Sequence, residues 1–146
     1  MKLKLVKAKK KDTFFFHKLR NDKDNRKNSV STKKIKFSNH NNWFIKTINN
    51  KSNYIFIIKK RDVNCGYLRY EKKLKFFNVS ICIDKKFRNK NIALSALMIG
   101  DKRVKRVTNS GLRAVVKKDN FISIKLFLKA NYSISKTKKN FFTFKK

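Results

Sequence analysis

Residues 79–94, Val79-Ser80-Ile81-Cys82-Ile83-Asp84-Lys85-Lys86-Phe87-Arg88-Asn89-Lys90-Asn91-Ile92-Ala93-Leu94, decide how the chain is read. The first five residues are strand-like, Asp84 breaks them, and from Asn91 the apolar period becomes helical. Ala93, Ala96, Leu97, Gly100, Val104 and Val107 then fall on one stripe, and Gly111 is expected to follow the helix C-terminus. A strand running through a basic loop into a helix start is an anion site in outline. The first-turn amides of a helix have no intrahelical acceptor and stand at its positive dipole end. Lys85, Lys86, Arg88 and Lys90 surround the same turn, so a pyrophosphate is the ligand chemistry these residues suit.

Working outward, Tyr54–Ile58, Tyr67–Tyr70 and Phe76–Ile83 read as three strands with connections short enough for antiparallel hairpins. Upstream, Leu3–Ala8 alternates apolar and basic residues as a half-buried strand does. Asp12 is placed to cap a short helix carrying Phe14, Phe15, Phe16 and Leu19, which Arg20-Asn21-Asp22 breaks. Ser38 is placed to cap another, with Trp43, Phe44, Thr47 and Ile48 at helical spacing. Downstream, Leu112–Val116 is a strand, and Asp119 or Asn120 starts a helix with Phe121, Ile124, Phe127 and Leu128 as its buried stripe. That helix ends at Asn131, a residue type that tolerates the left-handed conformation, and two short strands follow around Thr137. The sum is an α/β domain spanning residues 1–146, with a mixed, mostly antiparallel sheet flanked by helices. Its fourth and fifth strands, joined by a helical crossover, are expected to be parallel.

Composition narrows the function classes. Forty-one Lys and Arg against 8 Asp and Glu give a formal charge of +33, yet 14 Phe and the Val/Ile/Leu runs argue for a folded domain over a basic tail. Two origins of the charge stay open. It attracts any polyanion without specifying one, and it also follows from a codon bias toward Lys, Asn, Ile and Phe. Non-specific polyanion binding is therefore expected at most, since no zinc finger, RNP-type aromatic motif or basic zipper occurs. Cys65 and Cys82 lack the spacing of a metal or redox pair, and with His17 and His40 the only histidines no metal site is expected. No apolar run is long enough to span a bilayer and the N-terminus lacks a signal-peptide core, so a cytoplasmic location is the expectation.

The segment Arg88-Asn89-Lys90-Asn91-Ile92-Ala93 resembles the coenzyme-A loop of the GCN5-related N-acetyltransferase (GNAT) superfamily: Gln or Arg, any two residues, Gly, any residue, then Gly or Ala. Asn91 stands at the glycine, and Asn is the residue that best tolerates positive φ after glycine. A second segment is similar to the family's later motif, with Ala114, Val116, Asn120, Ser123, Phe127 and Tyr132 in register and Asn131 replacing another glycine. A third, Arg20-Asn21-Asp22 followed by Ser29 and His40-Asn41-Asn42-Trp43-Phe44, resembles the branch that acetylates amino sugars on nucleotide carriers, including the pseudaminic-acid pathway type.

That resemblance implies acetyl-CoA as cosubstrate, no metal, and direct attack of a primary amine on the thioester. The fold implied has splayed parallel strands four and five, with the pantetheine arm along strand four. Ile81 and Ile83 are implied as backbone contacts, Arg88, Asn89, Lys90, Asn91, Ile92 and Ala93 as the pyrophosphate loop, and Asn120 as an amide contact. Arg20, Asn21, Asp22 and Trp43 are implied as acceptor-binding residues. For the proton acceptor, Glu71, the only glutamate, and His40 are the candidates. Phe127 stands where the superfamily commonly has a tyrosine acid, and Tyr132 is expected in the core. Cys82, on a strand without a matched histidine, reads as a small buried side chain. Two other functions share these features: a protein N-terminal acetyltransferase of the ribosomal-protein type, and a non-catalytic basic nucleic-acid-binding module.

Overall fold

A computed structural model describes residues 2–146. Seven strands form one sheet in the order β1-β2-β3-β4-β5-β7-β6: β1 Leu3–Lys7, β2 Tyr54–Lys60, β3 Val63–Lys72, β4 Phe76–Ile83, β5 Gly111–Lys117, β6 Ser133–Thr137 and β7 Phe141–Lys145. Five α-helices accompany them, α1 Thr13–Asn21, α2 Lys23–Asn28, α3 Phe37–Asn49, α4 Ile92–Lys105 and α5 Phe121–Lys129, with short 3-10 turns at Lys10–Asp12 and Lys85–Phe87. Every pairing is antiparallel except β4 with β5, which the α4 crossover makes parallel.

The sheet is apolar on both faces because successive strand residues point to opposite sides. Phe56, Ile58, Leu68 and Tyr70 join α4 and α5 in one core through Leu97, Val104 and Phe127. Ile55, Ile57 and Tyr67 meet Phe16, Leu19 and Phe44 of α1 and α3 on the other face. Gly100 permits the close approach of α4. A Cβ there would lie 2.6 Å from Leu68 Cδ2 and would also strike the Tyr70 hydroxyl. Beside it, Asp101, 2% exposed, accepts from Tyr70 Oη at 2.6 Å, Tyr132 Oη at 3.0 Å and Lys146 Nζ at 3.0 Å, which satisfies a carboxylate that would otherwise be costly to bury.

One departure from regular pairing matters most. β4 is paired with β3 along Phe77–Ile83 but with β5 only over Phe76–Asn78, opposite Gly111–Arg113. Beyond Asn78 the two strands diverge, β5 staying with β7 through Lys117. Lys73 N–H donates to Phe76 O at 2.8 Å and Asp84 N–H to Cys65 O at 2.8 Å, which fixes the alternation of the β3–β4 ladder. Asn78, Ser80 and Cys82 turn their backbone groups toward β3, while Val79, Ile81 and Ile83 turn theirs into the open cleft.

Several boundaries differ from the sequence reading. β3 runs from Val63 to Lys72, well beyond Tyr67–Tyr70, because a two-residue turn at Arg61 and Asp62, both at positive φ, starts it early. A ladder shift at Ile58/Lys59 accommodates the extra residue Cys65. α2 was not anticipated from its polar sequence, and Asp22 caps it by accepting from the Asp24 and Asn25 amides. α3 begins at Phe37 after Lys36, so Ser38 lies inside it. Gly111 opens β5 instead of closing α4, and Val107 is exposed. In α5, Phe127 is buried but Phe121 and Leu128 are exposed; the helix is apolar around most of its circumference, so its pattern selects no face.

Candidate functional site

Two features meet at the β4 edge. The first is the start of α4. Asn91 takes the left-handed conformation at φ 56°, Asn89 does so at 61°, and the Asn91 side chain makes no capping bond. Both glycine-like positions are thus filled by the residue type best suited to them. Ser95 N–H, bonded to Asn91 O at 3.1 Å, begins the helical ladder, so the amides of Ile92, Ala93 and Leu94 precede it without an intrahelical acceptor. Ile92 itself is in the core, so what it presents here is its N–H. Lys85, Lys86 and Lys90 are exposed around this turn.

Arg88 behaves differently from the expectation. Its Nε donates to Ile83 O at 3.2 Å, Nη2 donates to Asn25 Oδ1 at 2.9 Å, and the guanidinium faces Asp22 and Asp24 at 3.9 and 3.6 Å. The side chain is a strut tying the loop to α2, and the cations left for an anion are the lysines. Because Arg88 occupies Ile83 O, the backbone groups of β4 facing the cleft without a named partner are those of Ile81, Val79 O and the Ile83 N–H. Asn120 is the N-cap of α5, where its Oδ1 accepts from Ser123 N–H at 3.2 Å. Its Nδ2 and the second lone pair of Oδ1 are what it can offer a ligand.

The second feature is a pocket of about 320 Å³ between α1, α3 and β3. Alternation along β3 sends Tyr67, Arg69 and Glu71 to one face. Phe16 and Arg20, one turn apart on α1, and Asn39, His40 and Trp43 on one face of α3 close the other sides, with Ile35 from the intervening loop. Four expected residues, Arg20, His40, Trp43 and Glu71, therefore converge from segments far apart in sequence. Trp43 is part-exposed at the pocket wall. Phe16, Ile35, Asn39, Tyr67 and Arg69 were missed; the period-two spacing back from Glu71 was the signal that could have found Arg69 and Tyr67.

Asn21 and Asp22 do not line the pocket. Asn21 Nδ2 donates to Ile35 O at 2.8 Å and its Oδ1 accepts from Ile35 N–H at 2.9 Å, which pins the loop that forms one wall. Asp22 is spent on capping α2 and facing Arg88.

The electrostatics of the pocket are specific. Arg69 Nη1 donates to Glu71 Oε2 at 3.1 Å, and its guanidinium lies 4.9 Å from the Trp43 ring centre and 5.5 Å from that of Tyr67. His40 is 2% exposed, and neither ring nitrogen has a hydrogen-bond partner. Burial, aided by the charges of His17, Arg69 and Arg20 and only partly opposed by the Thr13 backbone, which stays outside hydrogen-bond geometry, lowers its pKa to about 4, so the imidazole is neutral at pH 7. Burial pushes the Cys82 thiol up to about 12, which leaves it an inert neighbour of Tyr67. Phe127 packs edge-on to Tyr132, whose hydroxyl is spent on Asp101, so neither offers a proton to the cleft.

No protein-family model matches the sequence, and no curated protein matches it. Solved structures do. A domain from Methanocaldococcus jannaschii superposes with a TM-score of 0.86 at 16% identity, over 99% of this chain and 97% of that one. Spermidine N-acetyltransferase from Vibrio cholerae, in complex with CoA and spermine, gives 0.83 at 13% identity over 98% and 92%. A GNAT-family acetyltransferase from Bacillus anthracis gives 0.81 at 17% over 99% and 93%. The chain has the fold of these proteins, including the parallel β4–β5 pair.

Proposed function

We propose that the chain is an acetyl-CoA-dependent N-acetyltransferase acting on the primary amine of a small molecule, with an amino sugar, free or nucleotide-linked, as the finer assignment. The observation that carries the proposal is the divergence of β4 from β5 beside an uncapped helix start. The backbone groups of Val79, Ile81 and Ile83 suit an amide-bearing arm, and the α4 amides with Lys85, Lys86 and Lys90 suit a pyrophosphate. The cosubstrate supplies an activated acyl thioester.

The paired register places the pocket one strand from that cleft: Tyr67, Arg69 and Glu71 stand opposite Cys82, Ser80 and Asn78. An amine in the pocket can reach a thioester held along β4. The amine nitrogen forms the bond to the acyl carbon as the carbon–sulfur bond breaks. Its surplus proton passes to Glu71, directly or through water, with neutral His40 accepting a hydrogen bond from the amine. The departing thiolate, already a fair leaving group, takes a proton from water, because burial holds the Tyr67 phenol in its protonated form. A concave pocket of this size, with an unpartnered buried histidine, favours a small acceptor over a nucleic-acid surface.

Glu71→Gln tests the assignment, because the amide keeps an oxygen for Arg69 but is no longer a base. A fall in kcat of about a hundredfold with unchanged acetyl-CoA affinity is expected. A silent Glu71→Gln with loss in His40→Ala would move the role to His40.

A further inference from the structure

Resting on that acetyltransfer reading, we infer that the acceptor amine carries an anionic oxygen group, a carboxylate or a phosphate, bound between Arg20 and Arg69, and that polycationic amines are excluded. The pocket holds two guanidinium groups against one carboxylate, since Glu71 is the sole acidic residue among those that line it and His40 is neutral. Arg20 has no carboxylate partner among the described residues. Its Nη1 donates to Ser29 Oγ at 2.9 Å and Nη2 to Ser31 O at 3.3 Å, neutral acceptors that orient the guanidinium without cancelling its charge. Arg69 is half-satisfied: Nη1 is on Glu71 while Nε is buried without an acceptor. A buried donor left unpaired is unfavourable, and a ligand oxygen relieves it.

The second, independent observation is His40, buried to 2% with both ring nitrogens unpartnered in the same cavity wall. Neutral imidazole offers one donor and one acceptor, which matches a ligand presenting an oxygen and an amine. The aromatic wall of Trp43, on which Arg69 already rests, leaves a flat apolar side for the carbon scaffold. Charge sorts the alternatives. A polyamine brings several cations to a pocket with one carboxylate, already paired, on a chain of formal charge +33. An amine with one anionic group is attracted as a whole, and the two guanidinium groups lower the pKa of its ammonium, which makes the proton loss to Glu71 easier.

Trp43 is the single tryptophan, so its emission reports this pocket directly. The full chain is titrated with two matched pairs, glucosamine 6-phosphate against glucosamine for a phosphate and L-serine against ethanolamine for a carboxylate, and with spermine. At least one member bearing the anionic group should saturate the signal at a concentration tenfold or more below its counterpart without that group, with no saturable response to spermine. Arg20→Gln should erase that preference and Arg20→Lys should keep part of it. If Arg20→Gln does not fold, the wild-type pairs decide alone. Equal or better binding of the members that lack the anionic group or of spermine, or no saturable response to either amine that bears it, overturns the inference. A parallel acetyl-CoA titration separates the two levels: retained acetyl-CoA binding with a spermine preference removes the anionic acceptor alone, whereas absent acetyl-CoA binding removes the acetyltransfer reading beneath it.

Discussion

Acidification should destabilise this protein through one histidine, by an amount that follows from its burial. His40 is neutral in the folded state, with a pKa near 4, against an unfolded value of 6.5. Above pH 6.5 both states carry neutral imidazole and nothing is lost. Below it the unfolded chain takes up a proton that the folded chain refuses until about pH 4, so folding loses about 1.4 kcal/mol per pH unit across that window. Between pH 7.5 and 4.5 the loss is roughly 2.5 kcal/mol. The assay is urea unfolding at both pH values for wild type and His40→Phe. The ring substitution preserves the stacking on Phe44, which lies 5.8 Å away at 14°, and removes the titration. Titrating groups remote from the pocket contribute to both proteins and cancel in the difference. The wild type should lose roughly 2.5 kcal/mol more than the variant. Equal losses, or a His40 ring-proton resonance that titrates with a midpoint near 6.5, would refute the reasoning and with it the neutral state assigned to His40 in the pocket.

Alkaline pH acts on the opposite sign of shift. Cys82, raised from 9.0 to about 12, and the buried tyrosines, also raised, favour the protonated fold, so thermal stability should decline as pH climbs above about 9; a flat melting temperature from pH 8 to 11 would contradict this. Gly100→Ala should cost about 1–3 kcal/mol in urea unfolding, because its methyl group meets Leu68 and Tyr70. Asn91→Gly should be nearly neutral while Asn91→Val costs about 1–2 kcal/mol, the penalty of a branched residue at φ 56°. Duplex DNA should bind weakly and lose affinity steeply with added salt, in mobility shifts across a salt series, without sequence preference; tight selective binding would favour a nucleic-acid module.

The parts legible in sequence were those where local chemistry and tertiary structure agree. The strand, basic loop and helix of residues 79–94 were readable because apolar period changes at a polar junction. Asn91 and Asn131 were readable as left-handed positions because few other side chains occur there, and they adopt φ 56° and 68°. What failed was decided by partners distant in sequence. Arg88 looked like a free cation, but Asn25, Asp22 and Asp24 take it up, and a single chain of letters gives no sign that α2 packs there. Asn21 and Asp22 had the right composition for ligand binding and instead hold the loop and cap that shape the pocket wall. The ends of β3 carry Asn64, Glu71 and Lys72, poor strand formers held by two neighbouring strands, so its full length and the role of Arg69 were hidden. In α5, an almost wholly apolar sequence left its buried side undetermined.

Isothermal titration of the full chain with acetyl-CoA, beside Ala93→Glu, tests the central claim most directly. Ala93 lies in the first turn of α4, where added bulk and negative charge oppose a pyrophosphate on the helix amides. The account predicts a saturable exothermic isotherm for wild type and its loss in Ala93→Glu, with both proteins melting cooperatively. No binding to the folded wild type, or undiminished heat in the variant, would contradict it.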